Sequence, residues 1–115
     1  FVTVRGVPEA NTASPKLGMV LDFGALKKIV NRLIVEQYDH ALVIRDSEAS
    51  REILEALGKR FERIIRTDYQ PTCENMIPRF AEVLRAELPP NVELYSLKMH
   101  ETATSFAEWF ADDNK

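Results

Sequence analysis

The chain has 115 residues, 45% of them hydrophobic and 29% charged, the make-up of an ordinary globular protein with one modest core, which excludes disordered and fibrous classes. Its 15 basic and 18 acidic residues leave a net charge of −3, which argues against binding nucleic acid by phosphate neutralisation and still allows a small anionic substrate held by a few local cations. A lone cysteine excludes an internal disulfide, no apolar run approaches the ~18 residues of a membrane span, and no secretory leader is visible, so a cytoplasmic protein is expected.

In chain order, FVTVR alternates as a half-buried strand does, Gly6 and Pro8 open a polar loop reaching Lys16, and GMVLDF resumes a short strand, so the two strands are expected to form a hairpin with a long connection. The chain opens with Phe1 in strand-like sequence rather than with Met, which suggests that natural N-terminal residues are not represented. Asp22 reads as the cap of a first helix, with Leu26, Ile29, Val30, Leu33 and Ile34 as its apolar stripe and Lys27, Lys28 and Arg32 on the other side. That helix ends near QYDHALVI. A second helix is predicted from about Ser47, capped by Asp46, with Ile53, Leu54 and Leu57 inward and Gly58 as its stop, and FERIIRT follows as a strand.

The stretch TDYQPTCENMIPRF then opens the second main helix, with Thr72 as N-cap and Glu74 near the positive end of the helix dipole. Its stripe is Met76, Ile77, Phe80, Val83, Leu84 and Leu88. Pro78 should loosen its early turns, and Pro89 and Pro90 end it. NVELYSLKMHETATSFAEWF closes the chain as an antiparallel hairpin around the HET phrase. Strands, helices and strands again give one α+β domain over residues 1–115, with helices on one face of an antiparallel sheet.

Several residues could carry chemistry. Asp39 and His40 put a carboxylate beside an imidazole, the raw material of proton transfer, yet adjacent side chains diverge in regular structure and can act together only on irregular backbone. On the residues alone, a helix-end cation beside a solvated turn carboxylate is the simpler reading. Glu101 could take a planar ligand bidentately through two parallel N–H groups, such as the guanidine-like edge of a pterin or guanine, if it is buried in the strand pair; otherwise it is an exposed turn glutamate. Cys73 could be a nucleophile at a helix start or, more simply, a small buried packing residue. Trp109 and Tyr95 read as core or interface, and the basic pairs 27–28 and 59–60 as solvated faces. His40 and His100 lie far apart with no paired-ligand spacing, and these residues alone propose no zinc.

In this order, GMVLDFGALKKIV, YDHALV, PTCEN and HETATSFAEW resemble the 6-pyruvoyltetrahydropterin synthase family, across residues 18 to 109. The compact chain is more similar to the bacterial 6-carboxytetrahydropterin synthases of queuosine biosynthesis than to the animal pyruvoyl-forming enzymes. The resemblance implies a tunnelling fold (T-fold) whose subunits join sheets into a barrel and stack as two trimeric rings, a homohexamer with active sites between subunits, here without its N-terminal strand. It implies a lyase acting on 7,8-dihydroneopterin triphosphate, releasing triphosphate and acetaldehyde and leaving 6-carboxy-5,6,7,8-tetrahydropterin; the alternatives are the pyruvoyl-forming activity and a non-catalytic T-fold module binding a pterin or purine. Carried over by position, Glu101 anchors the pterin ring, Thr72 and the backbone of Cys73 line its pocket, Glu74 and Asn75 support it, and Asp39 and His40 move protons on the substrate side chain.

The family's zinc is held by three histidines that this resemblance places upstream of Phe1, together with the family's reactive cysteine, so Cys73 does not inherit that role. No metal ligand is assigned within the chain. The segment between His40 and PTCEN, with the helix from about Ser47, is longer than the family pattern, and its residues suggest no function for it.

Overall fold

A computed structural model describes residues 1–58 and 63–115. The Lys59–Arg60 pair, read as a solvated face, and Phe61 and Glu62, read as the start of the FERIIRT strand, lie outside the described residues. Strand β1 (Val2–Gly6) is followed by helix α1 (Phe23–Val30), which runs on through a π-helical turn (Asn31–Val35) into α2 (Glu36–Tyr38). Strand β2 (Leu42–Arg45), helix α3 (Glu48–Leu57) and strand β3 (Ile64–Thr67) come next, then helix α4 (Cys73–Glu87), the hairpin β4 (Val92–His100) and β5 (Phe106–Phe110), and a closing 3-10 turn (Ala111–Asn114). No helix among the described residues is long and apolar enough to cross a membrane.

The main sheet is antiparallel in the order β1-β4-β5, and α1 and α4 cover it from one side, the α+β architecture read from the sequence. Met76, Ile77, Phe80, Ala81 and Leu84 recur along α4 at helical spacing and are buried against Leu94, Leu97 and Trp109. Val83 falls off that stripe and is 40% exposed; Ala81 takes the inward position instead. Pro78 lies inside α4 without ending it, one missing backbone hydrogen bond being offset by the packing on either side of it. Ile29, Val30, Leu33 and Ile34 pack onto the same core, as expected of the first helix, and Asp22 caps it by accepting the Gly24 N–H. Trp109 is a core residue, with the Arg85 guanidinium over its ring.

Two expectations are corrected. The first strand does not pair with GMVLDF. It lies against β4, where Val2 and Val4 gain contact with the core, while residues 17–19 fold back on Glu9 as a loop: Glu9 N–H donates to the Met19 carbonyl at 2.8 Å and Gly18 N–H to the Glu9 carbonyl at 2.9 Å. Gly18 adopts φ +81, outside any strand geometry. Second, Ser47 rather than Asp46 caps α3. Ser47 accepts the Ser50 N–H, and Ser50 Oγ in return accepts the Ser47 N–H at 2.9 Å, while the Asp46 N–H is engaged with the Thr67 carbonyl. The first helix ends within QYDHALVI as expected, and the ALVI run, left unassigned by the sequence, gives β2 (Leu42–Arg45), parallel to β3, with α3 as the crossover. A four-residue apolar run after a helix carries no period that separates helix from strand.

The pairing of β1 with β4 shifts register between Thr3 and Val4, which oppose Ser96 and Leu94, leaving Tyr95 as the extra residue of a β-bulge. Side chains alternate along a strand, so the bulge switches the inward set on β4 from Val92 and Leu94 to Leu97 and Met99. Tyr95 itself packs under Arg5 and edge-on to Phe110. Arg5 bridges Glu93 and Asp112, both at 2.9 Å. Its guanidinium holds both carboxyls below their ordinary range, so whatever this exposed network contributes is present above that range and fades as acid protonates the carboxylates.

The chain extends over 60 × 29 × 26 Å with a radius of gyration of 17.5 Å, longer than the about 13 Å of a compact domain this size. Phe1, Val7 and Phe23 are each more than three-quarters exposed.

Candidate functional site

The polar start of α4 is built by its own hydrogen bonds. Thr72 holds extended backbone and its Oγ1 accepts the Asn75 N–H at 3.3 Å, while Asn75 Nδ2 donates to the Gln70 carbonyl at 3.1 Å, so Asn75 ties the Gln-Pro-Thr approach to the first turn. Glu74 lies in that turn and Cys73 is half-buried. Burial pushes the Cys73 thiol above its ordinary value, and the Glu101 and Glu74 carboxylates push it further. The thiol therefore lies within electrostatic reach of Glu101, 28 residues further along the chain.

The bulge at Tyr95 explains this approach. Counting by twos from Leu97 through Met99 puts Glu101, one residue past the strand, in step with the residues that face the helices. Glu101 is not buried within the strand pair as one sequence reading required; it is exposed, one residue past β4, in the hairpin loop. That loop is tied down: Glu101 N–H donates to the Ser105 carbonyl at 2.9 Å, and Thr102 Oγ1 accepts the N–H groups of Thr104 and Ser105.

Asp39 and His40 stand on irregular backbone. Tyr38 accepts the Ala41 N–H at 3.0 Å, Asp39 has φ −62 and ψ 125, and His40 has φ +56. These values describe a type II turn with His40 at the position that demands positive φ, where glycine or asparagine is the usual occupant. No other described residue except Gly18 has positive φ. The turn lets the neighbouring side chains converge, His40 Nε2 lying 3.8 Å from Asp39 Oδ1, with the imidazole 93% exposed. Such a conformation costs about 1–2 kcal/mol in an L-residue, and His40 makes up for none of it by burial.

An apolar cleft of about 330 Å³ is walled by Tyr38 and Asp39, by Met76 and Ile77 of α4, and by Lys98 and Met99 of β4. Of the site residues named from the sequence only Asp39 lines it; Met76 follows Cys73 by three residues and Met99 precedes Glu101 by two, while Thr72, Cys73, Glu74, His40 and Glu101 are outside the lining. The sequence reading passed over Tyr38 and Lys98. Tyr38 directly precedes Asp39–His40 and stacks edge-on to Phe80, a hint available from its place in YDHALV; Lys98 carried no such signal. The arrangement offers an apolar cleft with the Asp39 carboxylate in its lining and the exposed His40 imidazole beside that carboxylate, outside the cleft.

The donors present do not fit a zinc site. His100 stacks between the rings of Phe1 and Phe106 with Nδ1 3.3 Å from the Thr102 carbonyl, and His40 has only Asp39 beside it. Among the described residues no three His, Cys, Asp or Glu side chains gather as a metal would need.

Residues 2–112 match the family model described as 6-pyruvoyl tetrahydropterin synthase. Proteins named 6-carboxy-5,6,7,8-tetrahydropterin synthase are similar to the chain: that of Rickettsia conorii is 32% identical over 103 residues, and that of Rickettsia felis 33% over 107, each match covering 86% of this chain and 72% of the relative. The protein of that name from Haemophilus influenzae is 32% identical over 95 residues, covering 82% of this chain and 66% of its own length.

Two predictions test the geometry. His40→Gly should hold or raise the denaturation midpoint, by up to about 1 kcal/mol, because it relieves left-handed strain and removes no packing; a loss of that size in chemical denaturation would show that the imidazole is held by contacts. Iodoacetamide alkylation of Cys73 should have its pH midpoint above that of a free thiol, and Glu101→Gln should move it to lower pH by removing one of the charges that raise it. An unmoved midpoint would separate Glu101 from the start of α4.

Proposed function

The chain belongs to the 6-pyruvoyl tetrahydropterin synthase family, a family of lyase-type enzymes, and on that premise we propose that it is a 6-carboxy-5,6,7,8-tetrahydropterin synthase acting on 7,8-dihydroneopterin triphosphate, serving 7-deazaguanine (queuosine) biosynthesis. The observations that support this reading are an apolar cleft lined by Asp39 and by Met76 and Met99, and the charge of Glu101 acting on Cys73 at the start of α4.

In this reading the pterin ring enters the cleft, its flat faces against Met76 and Met99, and its guanidine-like edge donates two N–H groups to the two oxygens of Glu101. A bidentate, charge-assisted pair of this kind sets orientation as well as affinity. Thr72, Cys73 and Glu74 form the wall beside it, which is why the helix start is polar beyond what a cap requires. The imidazole of His40, steered by Asp39, takes and returns protons on the substrate side chain as triphosphate and acetaldehyde leave and one water supplies the second carboxylate oxygen. Cys73, with its thiol pushed up by burial and carboxylates, suits a packing role in the pocket wall better than a nucleophile.

Two further parts of the proposal rest on the family resemblance. Zinc is bound by histidines that the resemblance places upstream of Phe1; among the described residues the donors do not gather as a metal would need. The working unit is a homohexamer in which a neighbouring subunit covers His40 and Glu101; the elongated chain and the exposure of Phe1 and Phe23 support an assembly that buries more than one chain can.

The test is a split between binding and turnover. Glu101→Ala should weaken pterin binding by about 100-fold, the worth of two charge-assisted hydrogen bonds less their desolvation. His40→Ala should leave binding within a few-fold and lower kcat by about 10²–10⁴. Calorimetry with a pterin, alongside steady-state kinetics, reads both; equal loss of binding in the two variants would contradict the assignment of roles.

A further inference from the structure

In the segment between His40 and the start of α4, the Arg63 side chain reaches back to the backbone of the His40 turn. Arg63, immediately before β3, donates from its guanidinium to the Glu36 carbonyl and, at 3.4 Å, to the Asp39 carbonyl. Its own carbonyl accepts the Leu42 N–H at 3.0 Å, the first rung of the parallel pair β2–β3. One residue thus holds the chain on both sides of the Tyr38–Ala41 turn: carbonyls of Glu36 and Asp39 before His40, and the N–H of Leu42 after it.

The last carbonyls of a helix have no partner within the helix. Here Val35 accepts the Asp39 N–H and Tyr38 accepts the Ala41 N–H, and Arg63 takes up Glu36 and Asp39. A planar guanidinium with several fixed donors can serve two carbonyls at once, which an ammonium does less well. The turn carries its strain at His40, and strained backbone persists only where the surroundings over-determine it.

We propose that Arg63 is a positioning residue for the Asp39–His40 pair: it clamps the turn that gives His40 its left-handed backbone, and delivering it is a function of the β2–α3–β3 segment. Arg63 touches no reacting atom in this scheme, and its effect on turnover rests on the proton-transfer role proposed above for the pair. The effect on the turn does not.

The experiment is hydrogen exchange by NMR on the full protein, combined with kinetics, for Arg63→Ala and Arg63→Lys. In Arg63→Ala the amide of Ala41, bonded to Tyr38, should exchange about tenfold faster, the worth of a lost charge-assisted bond, while amides in the centre of α4 keep their protection. Turnover should fall at unchanged pterin affinity, with Arg63→Lys intermediate and added guanidinium ion restoring part of the loss in Arg63→Ala. Wild-type exchange at Ala41 in Arg63→Ala would overturn the clamp. Faster exchange at Ala41 in a protein whose wild type shows no turnover would uphold the clamp and reject the catalytic reading of the pair.

Discussion

The extra residue at Tyr95 is the constraint on which the site depends. Without it, β4 would keep its even-numbered residues inward along its whole length, and Glu101 would fall on the far side of the sheet from α4. With it, Leu97 and Met99 join the core, the hairpin loop turns toward the helices, and the Glu101 carboxylate comes within reach of Cys73. A packing irregularity in the middle of the sheet therefore decides which face presents the carboxylate two turns of pleat away. The stacking of Arg5 on Tyr95, and of Tyr95 on Phe110, gives the displaced side chain its own neighbours on the outer face.

The second irregularity sits at the end of the first helix. The π-helical turn Asn31–Val35 carries the chain into α2, and the helix then stops in a turn that puts His40 in a conformation suited to glycine. Together these let Tyr38 stay in the apolar stripe against Phe80 while Asp39 faces the cleft and His40 stands clear of it. Stability and the proposed chemistry pull apart here, since the residue that costs backbone energy is the one to which proton transfer is assigned in the proposal.

Much of the fold was legible in the sequence because it is written in periodicity. The apolar stripes of the first helix and of α4, the Thr72 cap and the closing hairpin around HET follow from spacing and turn chemistry. What was not legible came from partners distant in the chain. FVTVR carries no mark of pairing with β4 rather than with GMVLDF, and ALVI is too short to distinguish strand from helix. The bulge at Tyr95 is likewise invisible without the register of β1. For the site, residue type alone made Thr72 a helix cap and left Asp39 and His40 most simply a turn carboxylate and a helix-end cation; their site roles came from the family resemblance. The left-handed turn that brings Asp39 and His40 together was not foreseeable, because histidine is not the residue such a turn selects. Glu101 was weighed as a buried carboxylate or an exposed turn glutamate, and it stands exposed in the hairpin turn, as the second reading has it.

The most direct test of the account is to incubate the protein, with its natural termini, with 7,8-dihydroneopterin triphosphate and to determine the product by mass spectrometry. The account predicts 6-carboxy-5,6,7,8-tetrahydropterin, with acetaldehyde released in equal amount. A protein that retains the pterin and yields no tetrahydropterin, or one that yields only the pyruvoyl product, would contradict it.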